Sequence, residues 1–470
     1  MNAKNTSRRA FIKKGTLAAS AIVAGVTSEP VRAAKHRYTT TPSSVLGANN
    51  QLRVGFVGVG GQGFNAHVRT VTNMTGEDNE TWHNYEYNAV GVAACDLYSG
   101  RRDRAGALLE IARSKGGLGD YKVETYEDHR RLIERDDIDV VFIGTVDHWH
   151  SQIVIDALES GKHVYCEKPM TRYLPEAFEV YDAVQRTGMK FQVGSQYCTE
   201  GKWHVAADMI RAGKIGRLVL AQDSYTRNSA TGEWNYYELE EGVTPATMDW
   251  EHWLGKVRNR VDFNREHYHR WRKYLRYCAG ILGDLLAHRI HPLVIATGNP
   301  EFPKRVACLG TNGITLDEVG PDDRTVTDNT QVMAEFPSGL AMVILGSTVN
   351  EQGLAQVIRG HEGTLYFGGN TVELRPERPF GDLVDQESHD NIEPGVSIPA
   401  HVADLFDSIR NDTEPNGNIE VAIRTQTIIS MAEMSERMGE MVYFDEETRS
   451  MSTGSGRPLE TLTYGTMELS

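Results

Sequence analysis

The stretch GKHVYCEKPM, residues 161–170, is a short apolar run that stops at Glu167-Lys168-Pro169. Charged side chains are rarely buried unless paired, and proline has no N–H to give a sheet ladder. The run therefore reads as a strand that delivers an ammonium, Lys168, to the end of a sheet. Upstream, VGFVGVGGQGFNAHV spaces Gly58, Gly60 and Gly63 as G-x-G-x-x-G between a strand and a helix. Glycines at that spacing permit a tight turn and a close backbone approach, so a pyrophosphate can rest on the helix N-terminus. The next strand ends in VAACD, whose Asp96 suits a ribose hydroxyl. Asp96 comes later than the usual spacing of about twenty residues, and the polar stretch TNMTGEDNETWHNYEYN accounts for the excess as an inserted loop. A carboxylate there repels a 2′-phosphate and favours NAD, while Arg101 and Arg102 keep NADP open. After the third strand, TVDHWH sets Thr145 and Asp147 at the carboxyl end of the sheet, the ligand side of such folds. His148 and His150 suit function and helix capping equally. VGSQY puts Ser195 and Gln196 on the same side, with Gln196 placed for a nicotinamide amide.

These residues need elements to hold them. The runs LRVGFVGVG, YNAVGVAACD, IDVVFIGT, KHVYCEKP and KFQVGSQ alternate with amphipathic helical stretches. That rhythm predicts an α/β domain over 51–196, with a doubly wound parallel sheet covered on both faces. Beyond 196 the strands RLVLAQDSY, TQVMAEF, LAMVILGST, AQVIRG, GTLYFGG and TVELRP follow one another with turns. They predict an α+β domain over 197–450 with a large, mainly antiparallel sheet, joined by the helical stretches HVADLFDSIRND and IEVAIRTQTIISMAEMSERMG. Residues 451–470 read as a tail or wrapping arm.

The chain has 470 residues and a net charge of −15. Residues 1–33 hold six Lys/Arg against one Glu, leaving −20 for the remainder, which argues against nucleic acid or an anionic membrane surface as a partner. The N-terminus pairs Arg8 with Arg9, then runs through the apolar TLAASAIVAGV to small residues around VRAA. This is the pattern of a twin-arginine export signal over 1–33, followed by a polar linker over 34–50. Such signals carry proteins already folded, so the expected location is the periplasm, with no membrane attachment after cleavage. Cys95, Cys166, Cys198, Cys278 and Cys308 show no paired or metal-site spacing, and buried free thiols are expected.

The glycine loop, the TVDHWH turn and GKHVYCEKPM together strongly resemble the Gfo/Idh/MocA group of NAD(P)-dependent oxidoreductases, over nearly the whole mature chain. The resemblance implies an N-terminal Rossmann domain and places Lys168 beside the nicotinamide and the substrate, with a Lys–Pro bond that is often cis. It adds Gln62, His150 and Glu167 to the cofactor contacts. The group's second catalytic element, D-x-x-x-H on a helix, matches Asp284 and His288, which at i and i+4 share a helix face. His288 then serves as general acid/base and Lys168 stabilises the alkoxide. Two departures stand out: His291 occupies a position where the group commonly has Asp, and Pro292 follows it and is expected to bend the helix. His291 is read as a substrate contact, with a metal site of Asp284, His288 and His291 left open. The segment REHYHRWRKYLRY is expected near the substrate pocket, with Arg272 and Tyr274 binding substrate.

The expected activity is hydride transfer between a non-dissociating NAD and a carbinol of a sugar or polyol. An exported enzyme has no ready nicotinamide pool, so its cofactor must be recycled in place. A ping-pong oxidoreductase meets that condition. So does a redox-neutral glycosidase working by oxidation, elimination, addition and reduction. A non-catalytic sugar sensor is the third reading. Relatives often pair through the second-domain sheet, so a homodimer or homotetramer is expected.

Overall fold

Six parallel strands build the first sheet of the computed structural model: β1 (Leu52–Val57), β2 (Ala89–Cys95), β3 (Glu124–Tyr126), β4 (Val140–Ile143), β5 (His163–Glu167) and β6 (Phe191–Gly194). The structure describes residues 51–74, 83–119, 122–312 and 323–465. The export segment, the linker, part of the inserted loop and the end of the tail lie outside them. The strand order is β3-β2-β1-β4-β5-β6, so the chain reverses direction across the sheet at the β1/β4 junction, where this architecture binds its ligands. Five of the six strands are the apolar runs of the sequence. β3 has only three residues, none fully buried, and carries no apolar signature. All four residues of β4 are 0% exposed, as expected for a strand covered on both faces. One of those covers comes from far along the chain: Val402, Leu405 and Phe406 of the helix Ile398–Asn411 join the core of Phe56, Phe142 and Tyr165. Residues allotted to the second domain thus complete the first.

Among the described residues the second sheet has twelve strands, with β7 (Leu218–Asn228) inside it. Its pairings are antiparallel except that of β7 with Ala341–Ser347. Ala221, Val332, Ala334, Met342 and Ile344 fill its inner face and join the core cluster that includes the helices Ala287–Ala296 and Ile419–Met438. The sheet runs past residue 450, because Ser450–Thr453 and Pro458–Leu459 add two further strands. The chain beyond them wraps back, and the Tyr464 hydroxyl donates to Glu176 Oε2 at 3.2 Å. Between the domains, buried Arg172 grips both oxygens of Glu433 at 2.7 Å and donates to Leu275 O at 2.8 Å. The five cysteines are free, four of them buried. Among the described residues no helix is long and apolar enough to cross a membrane.

Candidate active site

At the end of β1 the backbone turns at Gly58, with φ +79°. A Cβ on Gly58 would sit 2.6 Å from Thr145 N, and one on Gly63 would sit 1.8 Å from Gly58 O. Both clashes are with backbone, so glycine is required at each. Gly60 differs, since its added Cβ would meet only the Arg101 guanidinium, at 2.9 Å. Over this turn opens a cavity of about 600 Å³ lined by Gly58, Gly60, Gln62, Asp96, Arg101 and Thr145, among others. Asp96 is pinned there: Oδ2 accepts from Val59 N and Oδ1 from Tyr98 N, both at 3.0 Å. Burial raises the Asp96 pKa, against the pull of Arg101 and the two N–H groups. Thr145 Oγ1 is buried in the same cleft with no hydrogen-bond partner among the described residues. A bare glycine cradle, a fixed carboxylate and an orphan hydroxyl fit a nicotinamide dinucleotide. The second domain roofs the cavity with Tyr237, Glu240, Tyr268 and Arg272. Arg101 reaches that roof, donating from Nη2 to Glu240 Oε1 at 2.6 Å and stacking over Tyr268 at 4.8 Å. Its guanidinium is a clasp between domains, a different role from the 2′-phosphate contact considered for it.

A second cavity of about 230 Å³ shares Gln62, Gly144, Thr145, Tyr237 and Arg272 with the first. Lys168, Asp284 and His288 all line it, with Asp147, His150, Glu167 and Gln196. The Lys168–Pro169 bond is cis. Lys168 Nζ donates to both Oδ1 and the backbone oxygen of Asp284, each at 2.7 Å. Asp284 also accepts from Arg272 Nε and Trp234 Nε1, both at 3.0 Å. Burial would raise its carboxyl, but Lys168 and Arg272 outweigh that and hold it far below the carboxylate range. A π-helical turn, Leu282–Leu286, leads into the helix Ala287–Ala296, and His288 stands in the first turn of that helix. His288 Nδ1 lies 3.4 Å from Ser195 Oγ, leaving Nε2 with no hydrogen bond among the described residues. Burial, reinforced by Lys168, pushes the His288 pKa well down, so the ring is neutral at pH 7 and able to accept a proton.

Several expected residues brace the site through bonds of their own. Glu167 Oε1 accepts from Gln62 Nε2 at 3.0 Å and pairs with His67 Nε2 at 2.9 Å. Burial opposes its charge, yet His67, Lys168 and Gln62 hold its pKa at about 2. It fastens the end of β5 to the glycine loop. His150 places its nitrogens 2.8 Å from Pro169 O and 3.3 Å from Thr145 O, and burial lowers it to about 4. It braces those two loops. His148 takes no part in either cavity; its Nε2 meets Trp253 O at 2.8 Å, tying the domains together.

Two expected substrate contacts are corrected. His291 is 1% exposed, bonds Ala287 O at 2.7 Å and lines neither cavity. With it turned away, Asp284, His288 and His291 do not converge, and among the described residues no cluster of His, Cys, Asp or Glu is arranged to hold a metal ion. The helix also continues through Pro292 to Ala296. Tyr274 is likewise buried, donating to Asp323 Oδ1 at 2.8 Å and stacking on His267. REHYHRWRKYLRY mostly covers the dinucleotide cavity, through Tyr268, His269, Trp271 and Arg272, of which Arg272 alone also borders the smaller cavity. Conversely, Tyr225, Arg227, Tyr236 and Tyr237 line the smaller cavity and were not anticipated. For Tyr236 and Tyr237 the available signal was GEWNYYELEEG, a loop denser in aromatic and acidic residues than a solvent loop requires. His67 had no local signal.

The oxidoreductase family model with an NAD-binding Rossmann fold matches residues 52–195, and the model for its C-terminal alpha/beta domain matches 226–456. The chain belongs to the Gfo/Idh/MocA oxidoreductase family. It is an NAD-binding enzyme of α/β architecture. A "Glycosyl hydrolase family 109 protein" of Shewanella sp. is 28% identical over 284 residues, 56% of each chain. An "Alpha-N-acetylgalactosaminidase" of Shewanella oneidensis is 27% identical over 282 residues, again 56% of each. The match thus spans about half the length of these curated relatives. Among solved structures, a levoglucosan dehydrogenase in complex with NADH is 20% identical with a TM-score of 0.60, over 84% of this chain and 99% of that one. That likeness shows the fold.

Proposed function

We propose that the protein oxidises and reduces a carbinol of a sugar or polyol with a tightly held NAD, outside the cytoplasm. One observation carries the reading: Lys168 from the first domain and His288 from the second line the same 230 Å³ cavity, which borders the glycine cradle. When bound, the nicotinamide dinucleotide supplies the hydride acceptor and donor. The protein supplies the rest. Gly58, Gly60 and Gly63 give the phosphates a backbone bed, and Asp96 meets the adenosine ribose, which favours NAD. Lys168, held by Asp284, presents an ammonium to the substrate oxygen and stabilises negative charge developing there. Neutral His288 accepts the hydroxyl proton at Nε2. Tyr225, Tyr236 and Tyr237 offer faces and hydroxyls that suit a sugar ring. The clasp of Arg101 on Glu240 supports retention of the cofactor.

A redox-neutral glycosidase is the second reading, favoured by the curated relatives named as glycoside hydrolases. The solved complexes named for levoglucosan and L-sorbose favour the first. Scanning the purified protein in the reduced-nicotinamide band decides between them. A lasting redox change on adding one sugar supports the oxidoreductase. Phenol release from an aryl glycoside with no net redox change supports the glycosidase, and silence in both assays supports a sensor.

Export and assembly belong to the same proposal. The paired Arg8 and Arg9 before an apolar run support twin-arginine export, tested by fusing residues 1–33 to a reporter and replacing both arginines with lysine. Leu309 and Met333, 61% and 57% exposed, share the outer face of the second sheet with Tyr366. Such an apolar face supports a homodimer or homotetramer, tested by light scattering.

A further inference from the structure

Asp147 opens the helix Asp147–Glu159 at the carboxyl end of β4 and is 4% exposed. It lines the 230 Å³ cavity and not the larger one, which sets it on the reacting side of the cleft. The other two carboxylates of that cavity are engaged: Asp284 by Lys168, Arg272 and Trp234, and Glu167 by Gln62 and His67. Asp147 accepts no hydrogen bond from any described residue. A buried polar group without a partner is costly unless a ligand supplies one.

We propose that Asp147 is a catalytic proton carrier of this cavity, taking the substrate hydroxyl proton during oxidation and returning it during reduction. The inference rests on the oxidoreductase reading above. In the forward step the O–H bond breaks, His288 Nε2 accepts its proton, and the proton passes on to a carboxylate oxygen of Asp147. The electron pair left on oxygen becomes the second bond of the carbonyl, as the carbon gives its hydride to the oxidant, an oxidised nicotinamide dinucleotide. The reverse step returns the same proton to the alcohol.

The charges facing Asp147 come from every side: Arg272 from the second-domain segment, Lys168 from the end of β5, Asp284 from the π-helical turn and Arg172 from the loop after β5. His150 shares its helix and stays neutral. Burial dominates the three cations and raises the Asp147 carboxyl to about 7. His288, held well below 6.5, cannot keep a proton at neutral pH, whereas a group poised near 7 both accepts and releases one.

The test compares wild type with Asp147→Asn, which keeps shape and cannot titrate, and with Asp147→Ala. Melting curves and dinucleotide titrations by fluorescence verify folding and binding. In wild type, kcat/KM for sugar oxidation should fall about tenfold per pH unit below about 7, because the carboxylate form is the acceptor, and reduction should fall above it. In Asp147→Asn that limb should vanish, with kcat down about 10²-fold and KM little changed. Formate should restore part of the activity of Asp147→Ala. An unchanged pH limb in Asp147→Asn overturns the proposal. So does weakened dinucleotide binding with kcat intact, which would make Asp147 a ribose ligand. A wild type whose nicotinamide absorbance answers to no sugar overturns the oxidoreductase reading itself, and is distinguished by needing no variant.

Discussion

The pairing of Lys168 with Asp284 makes Asp284→Asn the sharpest perturbation of the site. In the native protein the Asp284 carboxylate holds two cations, Lys168 at 2.7 Å and Arg272 at 3.0 Å, besides the Trp234 indole. The Lys168 and Asp284 side chains are 10% and 14% exposed, so water screens them little. An amide keeps the shape but takes from Lys168 and Arg272 the carboxylate that bonds both. Removing one partner of a buried pair costs about 3–5 kcal/mol, and the cavity beside Lys168 admits enough water to favour the low end. At about 2 °C per kcal/mol for a chain of this size, the melting temperature should drop by roughly 6 °C. The ammonium also loses the acceptor that aims it, so kcat should fall about 10²-fold. The double variant Lys168→Met with Asp284→Asn removes one cation as well. It should recover about 2 kcal/mol of the lost stability while remaining inactive. Thermal and denaturant melts read the first quantity, and sugar-dependent nicotinamide absorbance reads the second. If Asp284→Asn melts with wild type and keeps activity within about threefold, the pair neither stabilises nor aims Lys168, and the reasoning fails.

Glu167 predicts a pH effect. Its folded pKa, about 2, lies below its ordinary 4.5, so its contribution is present above about pH 4.5 and is lost as pH falls toward 2. That contribution is about 3 kcal/mol, and Glu167→Gln should lack it already at pH 7, with a shallower acid limb in urea melts. Gly63→Ala would place a methyl 1.8 Å from Gly58 O. Isothermal titration should find no dinucleotide binding, and melts should show a loss of about 3 kcal/mol. Glu240→Gln removes the charge that clasps Arg101 across the dinucleotide cavity. Stopped-flow displacement should give about tenfold faster dinucleotide release, and high salt should speed the wild type similarly.

How much of this was legible beforehand follows the range of each interaction. The glycine loop was readable because its demand is local: a turn at φ +79° and a backbone contact five residues on exclude side chains whatever lies elsewhere. The strands β1, β2, β4, β5 and β6 announced themselves because burial on both faces leaves continuous apolar runs. β3, at the sheet edge, has no such burial and left no such run. Lys168, Asp284 and His288 were nameable through family motifs, yet Lys168 and Asp284 stand 116 residues apart, and only the packed domains make them partners. The same holds for His67 with Glu167, separated by 100 residues.

His291 and Tyr274 show the limit from the other side. Their residue types and neighbours in sequence suited a substrate pocket, but which way a side chain turns depends on the element packed behind it. His291 finds a carbonyl on its own helix and Tyr274 finds Asp323. By itself the amino-acid sequence determined the two-domain α/β architecture, the glycine cradle and the residue types available for proton and hydride chemistry, since these rest on periodicity and short-range sterics. The tertiary structure decided which charges are paired and which carboxyl, Asp147, is left open, because hydrogen-bond partners and desolvation are set by contacts between distant segments.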